Sequence, residues 1–561
     1  MVIVLLIWAY VLLVSVTIGR FVLTGCDRIF GRKKEYGIVQ SYIAGTVILT
    51  VYAEIVSLFS GISLGANMIV LLVTVGILFF DRKNVVSRLK KNKNKIQIKE
   101  WILYALILLV VAFFTSRGVE HGDTGLYHAQ AIRWNEEYGV VKGLGNLFAN
   151  YAYNSAWLCY SALFSFRFLG GQSFHATNGL IMAMICCYSV YGLLEYGKHK
   201  YHFADAVRCS SLFYAMVICV VSMSPSTDLP SIYMIIYLLI RWCENLEEDK
   251  DSHTMAMLSV LAVYAISVKL SAAMIVLLVF HPLYYLIQEK KWKQIGIYLT
   301  LGIVVITPYL IRNVILSGWL LYPFEGLDLF SVQWKMPLQN LIVDKSYITV
   351  YARKTYDPIY LDQTVREWSP VWWRESDHYD RMLFLAQFFA GCLILVSAIT
   401  QIKEKRRIIW SVLFLDLVIV INLVFWFLQA PFIRYGLAFL LTFPLLAVAH
   451  IQCINMHERI SVVKVITVSL VVAIVTCVAP YWNHYVGDTM LFVKQHLTDA
   501  NYLIPKEYEV YEVESYEVDG HTFYYGKDTD KTGYWAFPGA PTENIHVRMF
   551  GDDYGEGFYS E

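Results

Sequence analysis

Four titratable residues, Glu120, His121, Asp123 and His128, fall within nine positions of the run SRGVEHGDTGLYHAQAIRWNEEYGVVKGLGNLFANYAYNSAW (116–157). Such a crowd can supply a general base or a set of metal ligands. Asp123 follows Gly122 and opens a helical pattern, so a simple helix N-cap is the plain alternative for it. On that helix Tyr127, His128, Gln130 and Arg133 share or flank the side of Asp123. Trp134 and, further on, Asn154 are counted with the same pocket. The spacing matches no zinc signature. If a metal binds, oxygen ligands favour magnesium or manganese, with Asp123 and Asp228 the carboxylates to hold it.

Asp228 stands in SPSTDLP between two apolar runs. A carboxylate at membrane depth is costly, which makes it a functional candidate; capping the next helix is its bland role. Three cations occupy similar places: Lys269 in SVKLS, Arg312 in IRNVILSGWLLYP and Arg434 in APFIRYG. Each alone can snorkel to an interface. Converging beside two carboxylates at the membrane edge, they would bind a lipid phosphate, with arginine giving bidentate contacts.

The elements that must position these residues are apolar. Of 561 residues, 57% are hydrophobic and 16% charged, and the mean hydropathy is +0.49. Soluble domains carry about 25% charged residues. A net charge of +1 gives no electrostatic reason for a nucleic-acid partner. With 40 Tyr and 15 Trp, much surface is expected at membrane–water interfaces. The 10 Cys form no C-x-x-C pair and most lie in apolar runs, so neither a disulfide framework nor a zinc site is expected. Residues 2–23 have no basic region before them and read as a retained first span.

An apolar run of about 20 residues crosses a bilayer as helix. Candidate spans are 2–23, 38–60, 66–81, 101–115, 175–194, 208–223, 229–242, 254–268, 270–287, 294–311, 382–400, 407–427, 436–453 and 463–480, about 14 in all. The fold class expected is an all-α polytopic membrane protein. Basic loops at 28–34, 82–99, 198–208, 290–293 and 403–407 all become cytoplasmic when the N-terminus is outside and 155–169 does not cross. The outer face then collects 116–174, which holds amphipathic helices, the loop 312–378, and a tail. That tail, 481–561, carries YEVYEVESYEV and DGHTFYY, whose alternation predicts a small, partly β extracytoplasmic appendage. Three regions follow: extra spans in 1–99, a core in 100–480, and the tail.

The segments GDTGLYHAQAIRWNEEYGVVKGLGNL, YNSAW, STDLP, VKLSA, the RN–SG–LYP pattern from Arg312 to Pro323, QWKMP, APFIRYG and GYWAFPGAPTENIHVRMFGDDYGEGF occur in one order. Together they resemble an uncharacterised family of bacterial multi-pass membrane proteins. That family in turn resembles the GT-C superfamily of integral-membrane glycosyltransferases. The resemblance implies a GT-C-like fold in a bacterial plasma membrane and an extracytoplasmic site that takes a sugar from a polyprenyl-phosphate donor to a glycan or lipid-linked acceptor. It implies Asp123 as base, with Glu120, His128 and Asp228 assisting, and Lys269, Arg312 and Arg434 on the donor phosphate. Three departures stand out. About three spans precede the acidic loop instead of one. Asp123 is single where many relatives pair two acids, Glu120 being the nearest substitute. Phe432 follows the Pro of APFIRYG where an acid is favoured. A lipid-linked oligosaccharide polymerase or a flippase of the same pathway are the alternatives, and a non-catalytic scaffold is the residual one.

Overall fold

The computed structural model describes residues 1–82, 98–117, 121–195, 202–218, 224–248, 251–403, 410–454, 497 and 501–561. Glu120, the candidate span 463–480, and most of the basic run 82–99 lie outside the described residues. The chain is mostly helical. Its helices are α1 (Val2–Ile29), α2 (Ile38–Ser57), α3 (Leu64–Phe80), α4 (Ile98–Thr115), α5 (Ala129–Glu137), α6 (Ala156–Leu163), α7 (Thr177–Leu194), α8 (Phe203–Ile218), α9 (Asp228–Glu247), α10 (Ser252–Val268), α11 (Phe280–Gln288), α12 (Trp292–Ser317), α13 (Leu338–Ala352), α14 (Val365–Glu375), α15 (His378–Lys403), α16 (Trp410–Gln429) and α17 (Ile433–Ile454). Most predicted spans fall on these helices; 270–287 begins in a 3₁₀ stretch, Leu270–Val279, before α11, and 219–223 of the span 208–223 lie outside the described residues.

Among the described residues, eight helices are long and apolar enough to cross a membrane. They are α1, α2, α7, the stretch Leu270–Gln288, α12, α15, α16 and α17 as far as Gln452. Three shorter apolar helices, α3, Glu100–Thr115 and α10, accompany them. One hydrophobic core runs from Val4 in α1 to Ala449 in α17, so the first spans pack into the same bundle as the rest. Gly19 and Gly45 let α1 and α2 touch through backbone: a Cβ on either would collide with main-chain atoms of the other helix.

Residues 155–169 hold no helix long enough to cross a bilayer. Their helix α6 has eight residues, about 12 Å at 1.5 Å per residue, against a bilayer core of about 30 Å. All eight are buried, so α6 is sunk within the protein rather than laid on its surface.

Helix direction sorts the charges. Lys291 caps the start of α12, Lys403 ends α15, and Arg32 after α1 pairs with Asp251 at the start of α10, 2.6 Å apart. Asp228, Lys269 and Arg434 sit at the opposite ends of α9, α10 and α17.

The tail contains the expected strands: β1 (Val513–Val518), β2 (His521–Gly526), β3 (Val547–Met549) and β4 (Phe558–Ser560). Antiparallel β1 and β2 turn through Asp519 and Gly520, both at positive φ, as a two-residue hairpin requires. Tyr516, Val518, Phe523, Val547 and Phe558 of the tail bury against Trp134, Val141 and Leu147.

Candidate functional site

Between α4 and α5 the chain makes a π-helical turn, Thr124–His128, with Asp123 just before it. Such turns are rare and concentrate at functional sites. Asp123 occupies the N-cap position, yet its side chain makes no cap hydrogen bond. Its carboxylate instead accepts from Arg434 Nη2 at 2.9 Å and lies 3.9 Å from His121 Nδ1. The N-cap reading of Asp123 is thereby replaced by an ion pair.

Asp228 is the first residue of α9, and it too turns to cations rather than to its own helix. Lys269 Nζ bonds its Oδ1, and Arg434 Nε lies 3.8 Å from its Oδ2. Lys269 is held there by a break. It caps α10 in an extended conformation, and a ten-residue 3₁₀ stretch, Leu270–Val279, follows. Runs that long are uncommon, and they mark sites where a helix is under constraint. Lys269 Nζ also sits 4.4 Å from the centre of the Tyr435 ring.

The loop before Asp228 is pinned by Asn178, whose amide donates to the carbonyls of Ser224 (2.6 Å) and Ser226 (2.8 Å). Asn178 Oδ1 in turn accepts from Trp157. Ser224 Oγ meets Thr124 Oγ1 at 2.6 Å, tying this loop to the π-turn. Arg434 enters α17 beside Phe432 and Tyr435, and its Nη1 lies 3.1 Å from His121 Nε2.

Four segments therefore meet: 121–128, Asp228, Lys269 and 434–435. Two carboxylates face two cations, and the group is close to neutral overall. Burial favours the neutral form of Asp123, but the Arg434 guanidinium outweighs it and holds the carboxyl below the usual range. Burial lowers His121 and drives His128 down to about 3, so both imidazoles are neutral near pH 7. An incoming anion can exchange with the carboxylates for Arg434 and Lys269.

Arg312 does not join this cluster, which corrects the expectation of three converging cations. It is 3% exposed. Its guanidinium donates to Asn135 Oδ1 (3.0 Å), Asn154 Oδ1 (3.2 Å) and Ser57 Oγ. Buried Val305, Tyr309, Arg312 and Leu316 recur at helical spacing, so its side of α12 faces the bundle interior. Asn154 belongs to this node as well, donating to the Tyr309 carbonyl.

Arg133 and Trp134 also move out of the pocket. Arg133 binds Glu137 (2.7 Å) and the carbonyls of Tyr534 and Trp535. Trp134 packs on Phe537 and Phe558. Both fasten the tail to α5. Tyr127 stays beside the cluster, its ring 4.3 Å from that of His128.

The tail reaches the π-turn itself. The carbonyl of Gly125 accepts from the amides of Gly533 (2.9 Å) and Thr532 (3.2 Å). Gln130 is spent on the backbone of Gly533, Ala536 and Gly539.

His121 belongs to the titratable crowd at 120–128 that the sequence displays, whereas Tyr435 is not singled out there; the signal available for it is adjacency to Arg434. As for metals, no group of three or more His, Cys, Asp or Glu suited to an ion exists among the described residues. Asp123 and Asp228 are already matched to Arg434 and Lys269, so the donor set does not fit magnesium or manganese.

Fold and cluster define a polytopic helical membrane protein with a charged cluster where helix ends meet. The chain belongs to the DUF8201 family, a domain of unknown function, whose model matches residues 1–441. That span includes all four cluster segments and stops short of the tail. No curated protein matches the chain, and no solved structure does.

Proposed function

We propose that the protein is a membrane glycosyltransferase of GT-C type. It moves a sugar from a polyprenyl-phosphate-linked donor to an acceptor in cell-surface glycan assembly. The reading includes about fourteen spans in a bacterial plasma membrane, with the site on the extracytoplasmic side. One observation carries it: Asp123, Asp228, Lys269 and Arg434 come from four segments and share ion pairs at one end of the bundle.

The chemistry is a single displacement. Asp123 takes the proton of the acceptor hydroxyl. The freed oxygen forms a bond to the anomeric carbon while the bond from that carbon to the phosphate oxygen breaks. The electron pair leaves with the polyprenyl phosphate, and the configuration inverts, as in inverting glycoside chemistry. Arg434 and Lys269 offset the charge that grows on the phosphate. The resting ion pairs add a control. With Arg434 on Asp123 the carboxylate is a weak base; a donor phosphate that draws Arg434 away raises its basicity when substrate is present.

The test is surface glycan composition in cells carrying Asp123→Asn, with the amount of protein in the membrane measured alongside. Loss or truncation of one polymer at equal protein level is expected. An unchanged polymer at equal protein level removes Asp123 as base and this reading with it.

A further inference from the structure

Helix α13 is tied at both ends to the ends of spans. At its start, Leu341 packs on Trp319, Tyr322 and Met336, and the Met336 amide donates to the carbonyl of Ser317, the last residue of α12. Just past its end, Lys354 pairs with Asp380 in the first turn of α15 at 3.1 Å. The Tyr351 ring lies 5.6 Å from Phe432, the residue before α17. A helix of 15 residues is about 22 Å long. Anchored at both ends to the ends of candidate spans, it runs across that end of the bundle.

Beyond Gln339 and Asn340 at its start, its outward side carries an apolar stripe. Val343, Tyr347 and Tyr351, spaced i, i+4, i+8, are 43%, 57% and 55% exposed. Leu338 and Ile342 add a second exposed strip, and Ile359 continues the apolar surface beyond the helix. The stripe ends at Phe432, where α17 begins. The inward side is settled in a different way: Asp344 accepts from the hydroxyls of Tyr322 (2.7 Å) and Tyr153.

We propose that α13 is an interfacial anchor whose Val343–Tyr347–Tyr351 stripe rests in the phospholipid leaflet on the side of the charged cluster. Apolar rows of this size seldom face water, and tyrosine suits the headgroup boundary, where its ring is buried and its hydroxyl hydrated. The partner is the lipid surface itself, and the inference does not depend on the transfer reaction.

The full chain is reconstituted in phosphatidylethanolamine/phosphatidylglycerol vesicles with p-benzoylphenylalanine at Tyr347 or, as a second site, Val343. Asp328, exposed in the same outer loop, is the control position. After illumination, peptides are read by mass spectrometry. Phospholipid adducts at Tyr347 and Val343 and none at Asp328 are expected. Adducts to a second copy of the chain would make the stripe a contact between copies and overturn the proposal. So would an absence of lipid adducts at both positions in folded protein.

Discussion

Arg434 and Arg312 make an instructive pair. Both lie near span ends and both organise polar groups from several helices. Arg434 keeps 31% of its side chain exposed and faces the carboxylates of Asp123 and Asp228. Arg312 is buried, and its bonds go to amide and hydroxyl oxygens. Charges that face each other while partly open to solvent can trade partners for an anion. The Arg312 guanidinium is sealed among buried groups, the Glu54 carboxyl among them, so no anion from solution reaches it, and the acceptors around it need it to stay. The first arrangement is suited to binding, the second to holding helices together.

The largest effect expected from this contrast is on Arg312. Arg312→Met takes the guanidinium donor from the oxygens of Ser57, Asn154 and Asn135, the last keeping only the weak Cys159 thiol, and a polar group left without a donor costs roughly 1–3 kcal/mol. A loss of about 3 kcal/mol or more is expected, read as a steep fall in thermal midpoint and in monodisperse yield from detergent. A variant that stays stable but is inactive would put Arg312 in the site and erase the contrast.

Asp123→Asn should do the opposite. The fold is retained, with thermal midpoint near wild type, while transfer to an acceptor drops by about 10²–10⁴-fold, the usual worth of a positioned base. A rate within about tenfold of wild type would make the carboxylate a mere partner of Arg434.

Arg434→Lys keeps the charge and loses the fork that spans Asp123, Asp228 and His121. About a tenfold loss of transfer is expected, equivalent to about 1.4 kcal/mol. Arg434→Gln sharpens the electrostatic argument through pH. In the folded protein Arg434 helps hold the Asp123 carboxyl low, so the ionised base persists into acid. A depressed carboxyl adds stability above its unfolded pKa, and that stability is lost as pH falls through the folded value. Without the guanidinium the folded value climbs. The acid limb of the rate profile and the acid-unfolding midpoint should therefore both move to higher pH. An unmoved acid limb would mean that Asp123 is not the titrating base.

How much of this was legible depended on the physics behind each signal. Apolar runs announce helices because lipid leaves the backbone no other partner. Asp123, Asp228, Lys269 and Arg434 stood out because each interrupts or borders such a run. Arg312 looked the same by that criterion. What separates it is helical phase, Val305–Tyr309–Arg312–Leu316 on one buried side, which a count of charges at span ends ignores. Arg133 and Trp134 shared a helix with the cluster in sequence, but nothing local shows that the far tail docks on α5. Tail strands were legible by alternation; the tail's contact with the π-turn was not, since it depends on pairings across most of the chain.

That contact offers the mildest test. The Gly533 amide holds the Gly125 carbonyl, and Gly533 has φ +67°. A Cβ there would lie 2.8 Å from Tyr511 Cδ2 and 2.9 Å from the Glu509 carbonyl oxygen. Gly533→Ala should therefore cost about 1 kcal/mol or slightly more in local strain. Because the strain falls on the support of the π-turn, hydrogen exchange should rise in peptides covering 121–137 and stay level in the β1–β2 hairpin. Transfer should drop by a few-fold as the turn carrying Asp123 loosens. Equal exchange in both regions, with transfer reduced, would show that the tail acts on the site by some route other than Gly125. Raised exchange in the hairpin alone would show that the turn holds its shape from the membrane side, through Thr124 and Ser224.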